Sequence, residues 1–228
     1  MKASRLALLA AGVAAALFTG CAPPGNVAAT VGDTTIRTSQ VDFLTDMQCA
    51  SLDKAADAPG SQTQSVPMSQ VRSSMVNTLV QAELNRRLAQ RDDLSYDRET
   101  LVQVMQQFDA TVLPQVPAED RDRFRDVVVD IYRTQLQVYG EAERRLADQG
   151  IENYTQEQAD EAVAQIQSEF REDVDVEVNP EYGADDRGVA GAVDPSLSLP
   201  VSSYAKKSRA GQADPEWVAT LPADQRCG

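Results

Sequence analysis

Few residues in this 228-residue chain are placed for chemistry, and their types narrow its function class mainly by exclusion. Histidine is absent. Without an imidazole there is no Ser-His or Cys-His nucleophile pair and no histidine-bound zinc. Ser203 and Lys206 have the spacing of a Ser-x-x-Lys nucleophile and base, but they lie in an irregular stretch rather than at a helix start. No Ser-Asp-Asn or Lys-Thr-Gly companion accompanies them, so the pair does not define an acyl-transfer site. Asp173, Asp175 and Glu177 alternate along the chain and would share one face of a strand, offering carboxylate oxygens of the kind calcium takes. The opposite face, Val174, Val176 and Val178, is apolar, and a solvated face behind a buried one explains the same alternation without metal. Asp185, Asp186, Arg187 and Gly188 lack the spacing of a calcium loop, and no glycine-rich phosphate loop is present. The expectation is a non-enzyme with no catalytic residues, no cofactor and no metal.

The three cysteines carry the remaining chemistry. Lys2 and Arg5 precede an apolar run, Leu6 to Phe18, that is too short to span a bilayer. Thr19 and Gly20 then lead into Cys21, an arrangement that resembles a lipobox, although Phe18 stands where leucine is usual. Cys21 would be diacylated and become the new N-terminus, anchoring the chain stably to the extracytoplasmic face of a cell membrane. The alternative is an ordinary signal peptide cleaved near Ala22. Residues 1–20 read as the signal and 21–26 as a tether. With Cys21 lipidated, Cys49 and Cys227 form an even pair in an oxidising compartment, which points to a disulfide rather than two free thiols. That crosslink would contribute about 4–5 kcal/mol on the chain-entropy estimate.

The chain carries 21 Lys and Arg against 35 Asp and Glu, a formal net charge of −14. Such acidity argues against nucleic acid as a partner and against lying flat on an anionic leaflet. A 42% apolar fraction supports one modest core rather than disorder.

The elements that hold these residues are mostly helical. A short strand spans Val27 to Val31, Gly32 and Asp33 turn the chain, and Thr34 to Ile36 extend again. A helix opens at Ser39, capped by Asp42, with Val41, Leu44 and Met47 on one face. Ala55 to Pro67 is a polar loop. The second helix, Ser69 to about Arg91, has a broad apolar stripe, and the third runs from about Asp97 to Thr111. The fourth, Ala118 to about Asp148, holds Gly140 as a possible bend and ends at Gly150. The fifth is capped by Thr155 and Gln158. A strand, Val174 to Val178, follows. Pairing it with Val27 to Val31 would close one mainly helical domain, residues 27–200, with the fourth helix covering the sheet. Residues 201–228 read as an irregular tail, its Trp217 packed on the domain.

Two stretches carry a family resemblance. ATVGDTTIRTSQVD, residues 29–42, resembles the opening of the SurA and PrsA type of exported chaperone, and VEVNPEYG with the later SLSLP resembles that family's closing strand. Glu181 stands where a basic residue is usual, and no tryptophan follows Gly183. The resemblance implies a SurA N-like helical domain, its small sheet joining N- and C-terminal strands. The family's parvulin prolyl isomerase insert has no room here, because a single helix bridges the place where it would stand. The implied function is a non-catalytic holdase for exported unfolded polypeptides, and the alternative is an adaptor lipoprotein with one envelope partner. Met75, Leu79, Met105 and Phe108 are the candidate client-binding residues, since methionine and aromatic side chains adapt to varied partners. The same residues at helical spacing also read as core.

Overall fold

A computed structural model of the chain describes residues 25–59, 64–184, 189–190 and 213–228. Cys21, residues 196–200, Ser203, Lys206 and Asp185 to Gly188 lie outside them. The described chain is mainly helical with small antiparallel sheets.

β1 (Val27–Val31) and β2 (Thr34–Arg37) form a hairpin. The turn needs Gly32, whose φ of +57° costs a residue with a Cβ. α1 (Thr38–Ala56) follows directly. Its start differs from the Ser39 and Asp42 cap that the sequence suggests. The helix begins one residue earlier, and the Arg37 amide donates to Gln40 Oε1 at 2.8 Å. Asp42 is drawn instead to Arg72 on α2.

β3 (Val66–Pro67) leads into α2 (Met68–Arg91), then α3 (Arg98–Thr111), α4 (Arg121–Asp148) and α5 (Gln156–Arg171). α4 runs unbroken through Gly140. Gly150, at φ +79°, ends it. Thr155 and Gln158 cap α5 reciprocally: the Thr155 amide donates to Gln158 Oε1 at 2.9 Å, and the Gln158 amide donates to Thr155 Oγ1 at 3.3 Å.

β4 is shorter than the alternation suggests and spans Val176–Val178. The Val174 amide still donates to Arg171 O at 3.2 Å, so the end of α5 holds Val174, while Asp175 O accepts from the Gly32 amide at 2.7 Å. β4 pairs antiparallel with β1, with Ala29 opposite Val178 and Val31 opposite Val176, in the order β2-β1-β4. α2, rather than α4, lies across this sheet.

Two helical cores share α2 and α4. One joins Val31, Ile36 and Val178 of the sheet to Val76, Val80, Leu84 and Leu88 of α2, with Val138, Ile166 and Phe170 behind them. The other joins α1, α3 and the start of α4 around Phe43, Phe108 and Phe124, whose rings stack edge-on and tilted at 6.5 and 5.4 Å. A third, smaller cluster surrounds Cys49 and Cys227. Met75 touches all three.

The C-terminal stretch is not irregular where it is described. α6 (Pro215–Ala219) and a 3-10 turn lead to β5 (Arg226–Cys227), which pairs antiparallel with β3. Asp214 caps α6, accepting from the Glu216 amide at 3.0 Å. Cys227 meets Cys49 of α1 with sulfurs 1.94 Å apart and Cα atoms 4.8 Å apart, a disulfide closing 178 residues of chain.

Candidate functional site

Of the four residues expected to line a groove, Met75, Met105 and Phe108 are placed otherwise. Met105 and Phe108 are buried in the second core, at 4% and 8% exposure. Met75 and Leu79 are half-buried at the junction of the two main cores. Met75, Met105 and Phe108 are packing residues, since the apolar stripe that makes a helix amphipathic is the stripe its neighbours cover. Leu79 alone reaches an open groove. Among the described residues the large apolar side chains left exposed are Val102 and Val189.

The carboxylates in and just before β4 face solvent. Asp173, Asp175 and Glu177 are exposed, and Asp173 faces Arg91 at 3.6 Å. Arg91 also lies 4.8 Å from the centre of the Phe170 ring.

What the fold does build is a cleft of about 340 Å³ at the start of α2. Its apolar walls are Met68, Tyr182, Trp217 and Leu221, and Arg72, Glu181 and Asp224 supply charge. Three separated segments meet there, which is why no local motif announces it. Pro67 opens α2 at the first helical boundary, where a missing N–H costs nothing. Ser73 Oγ donates to Tyr182 O at 3.0 Å and so fixes the turn after β4 against α2. That turn is preset by Asn179, whose Oδ1 accepts from the Glu181 amide at 3.1 Å while its Nδ2 donates to Val27 O at 3.0 Å. The third wall is α6 and the 3-10 turn after it, held in place by β5 and the disulfide.

Arg72 is the cleft's principal cation. Its guanidinium is bonded to Asp42 and lies 5.8 Å from the centre of the Tyr182 ring. Burial pushes the Tyr182 phenol above its ordinary range, so it stays a neutral hydroxyl at physiological pH. The cleft therefore sets a half-neutralised cation and half-buried Met68 over Tyr182, Trp217 and Leu221, which are themselves largely buried. It has no nucleophile–base pair among its walls. Of its residues Trp217 is singled out by sequence, as are Glu181 and Tyr182 within VEVNPEYG; Arg72 and Leu221 carry no local signal.

A second opening, of about 320 Å³, runs beside β2 between α2 and α4. Among the described residues no helix is long and apolar enough to cross a membrane. No protein family, curated protein or solved structure matches the chain.

Proposed function

We propose that this protein is a lipid-anchored, non-catalytic holdase that binds exported unfolded polypeptides at the extracytoplasmic face of a cell membrane. Its folded part would be a SurA N-like domain without a parvulin insert, closed by the pairing of β1 with β4 around the helices. The observation that carries this reading is the open cleft at the start of α2, where Met68, Tyr182, Trp217 and Leu221 surround Arg72. Side chains of this kind accept apolar and aromatic residues without demanding one sequence. The run Leu6 to Phe18 ahead of Cys21 supports the anchor.

A second reading, an adaptor for one envelope protein, is favoured by the small amount of exposed apolar surface. A broad holdase presents a large apolar patch, whereas Val102 and Val189 are the large apolar side chains exposed among the described residues.

Aggregation assays on several unrelated unfolded proteins separate the two. A holdase suppresses aggregation of most of them, and Trp217→Ala weakens all alike. Suppression of none, with a single partner recovered by crosslinking from the cleft, overturns the holdase reading. Cys21→Ala should release the protein from membranes in detergent-free fractionation, and a processed variant that stays membrane-bound overturns the lipid anchor.

A further inference from the structure

The three-stranded sheet ends on β2, and no further strand lies beyond that edge among the described residues. Toward β4, β1 uses its even-numbered residues. The Asn179 amide donates to Ala28 O at 2.8 Å, the Gly32 amide donates to Asp175 O at 2.7 Å, and Thr30 stands opposite Glu177. The odd-numbered residues Ala29 and Val31 are therefore the ones that bond β2, at Ile36 and Thr34. Thr35, opposite Thr30, is left with its N–H and C=O turned away from β1. Arg37 needs no partner on that side, because Gln40 Oε1 accepts from its amide. β2 carries neither lysine nor proline, the residues that commonly block an edge.

The groove of about 320 Å³ follows this edge, because Thr34, Thr35 and Ile36 all line it. Successive strand residues face opposite sides, so an opening touched by three in a row runs along the strand rather than across one face. Its floor is apolar: Ile36, Leu79, Ala82, Val127 and Ile131. Its charged rim is Glu83, Asp126 and Asp130 against Arg86. Arg86 is committed to Glu83 and to Asp130, the latter at 2.8 Å. Asp126 is exposed, and its neighbour Arg125 is held by Asp109 at 2.9 Å. Glu83 is also bonded by Arg87 and Asp130 by Arg133, which leaves Asp126 as the rim carboxylate outside these ion pairs.

We propose that this edge and groove form a second polypeptide site, separate from the cleft at α2, which receives an extended segment carrying alternate apolar and basic residues. The segment adds to β2 through Thr35, sets an apolar side chain on the Ile36–Leu79–Val127 floor, and directs a lysine or arginine to Asp126. Main-chain bonding gives affinity for any extended segment, and the exposed carboxylate of Asp126 favours cationic ones. The inference rests on the reading of this protein as a polypeptide binder and adds a site and a charge preference to it.

The test uses fluorescent synthetic peptides of alternating Leu and Lys, and of alternating Leu and Glu, titrated into the full chain. The Leu–Lys peptide should bind at least about tenfold tighter. Thr35→Pro removes only an outward N–H, a change that edge strands tolerate, and should weaken the Leu–Lys peptide about tenfold at an unchanged melting temperature. Asp126→Lys should weaken that peptide and strengthen the Leu–Glu one. Equal binding of both peptides, or undiminished binding by both variants, overturns the proposal. So does a dimer that Thr35→Pro converts to monomer, since a second copy would then occupy the edge. Aggregation suppression is measured in parallel. If suppression persists while the Leu–Lys peptide fails to bind, the edge site is wrong and the polypeptide-binding reading stands. If both are absent, both fall.

Discussion

Arg87 is the side chain that ties the first turn of the chain to its helices. Its Nε donates to Glu83 Oε1 at 2.9 Å and its Nη2 donates to Thr34 Oγ1 at 2.8 Å, while Asp33 accepts from the same nitrogen. Glu83 is only 7% exposed, so its carboxylate depends on Arg86 and Arg87 for the solvation that water would give. Arg87→Ala should therefore lower stability by about 2–3 kcal/mol, read as a shifted urea midpoint at constant slope. Arg87→Lys should recover less than half of that, because a point charge cannot serve three acceptors set around a fork. Glu141 makes a different prediction. The hydrogen bond from Arg144 chiefly holds its carboxyl below the ordinary value of 4.5, against the opposing effect of burial and with further help from Arg145. A carboxylate depressed in the folded state stabilises the fold above its unfolded value, and that contribution is lost as pH falls through the folded one. Glu141→Gln should thus be less stable than the parent at neutral pH, and the two should converge as pH falls through the depressed folded value. A difference that stays constant down to acid unfolding would show that Glu141 acts through packing alone.

At the scale of elements, a signal is legible in sequence when both partners are local. Thr155 and Gln158 lie three residues apart, and their reciprocal bonds fix the start of α5. Thr155→Ala should cost about 1 kcal/mol in a denaturant titration, and Thr155→Ser almost nothing. α1 shows the opposite case. Ser39 and Asp42 have the right spacing, but Asp42 has a better partner in Arg72, thirty positions along, and Gln40 serves the Arg37 amide instead. Tertiary pairing overrides the local pattern there. The apolar periodicity of α2 is read correctly, yet periodicity says only that a stripe exists. Whether a stripe is covered depends on the neighbouring helices, and on α3 it is, at Met105 and Phe108. The C-terminal stretch escapes sequence reading because α6 is five residues and β5 two. Segments that short have no periodicity to detect, and they are ordered here by the disulfide, by β3 and by the burial of Trp217, Val218 and Leu221. The cleft at α2 is illegible for the same reason, since its walls come from three distant stretches.

For the whole molecule, two long-range links bring distant parts of the chain together, and they should fail in different ways. The β1–β4 pair places Val178 beneath the sheet at 6% exposure, within the core that also holds Val31, Val80 and Phe170. The disulfide joins α1 to β5 beside a smaller cluster containing Val71. Replacing Val178 by Asp puts a carboxylate among apolar groups with no cation in that cluster to meet it. The cost is several kcal/mol, comparable with the whole stability of a domain of this size. Val178→Asp should lose the cooperative transition, with helical circular dichroism outlasting the near-ultraviolet signal, because each helix keeps its backbone bonds while the shared core is gone. Cys227→Ser acts on the unfolded chain instead. Opening a loop of 178 residues should cost about 5 kcal/mol on the chain-entropy estimate, with the transition still cooperative and its midpoint lowered. Residues 213–228 should then become accessible to protease before the helices do, since their own cluster is small and separate. The two variants are compared by the slope and midpoint of one urea titration and by the order of cleavage. If Val178→Asp melts cooperatively near the parent's midpoint, the β1–β4 pair is an accessory to a helical core that stands without it.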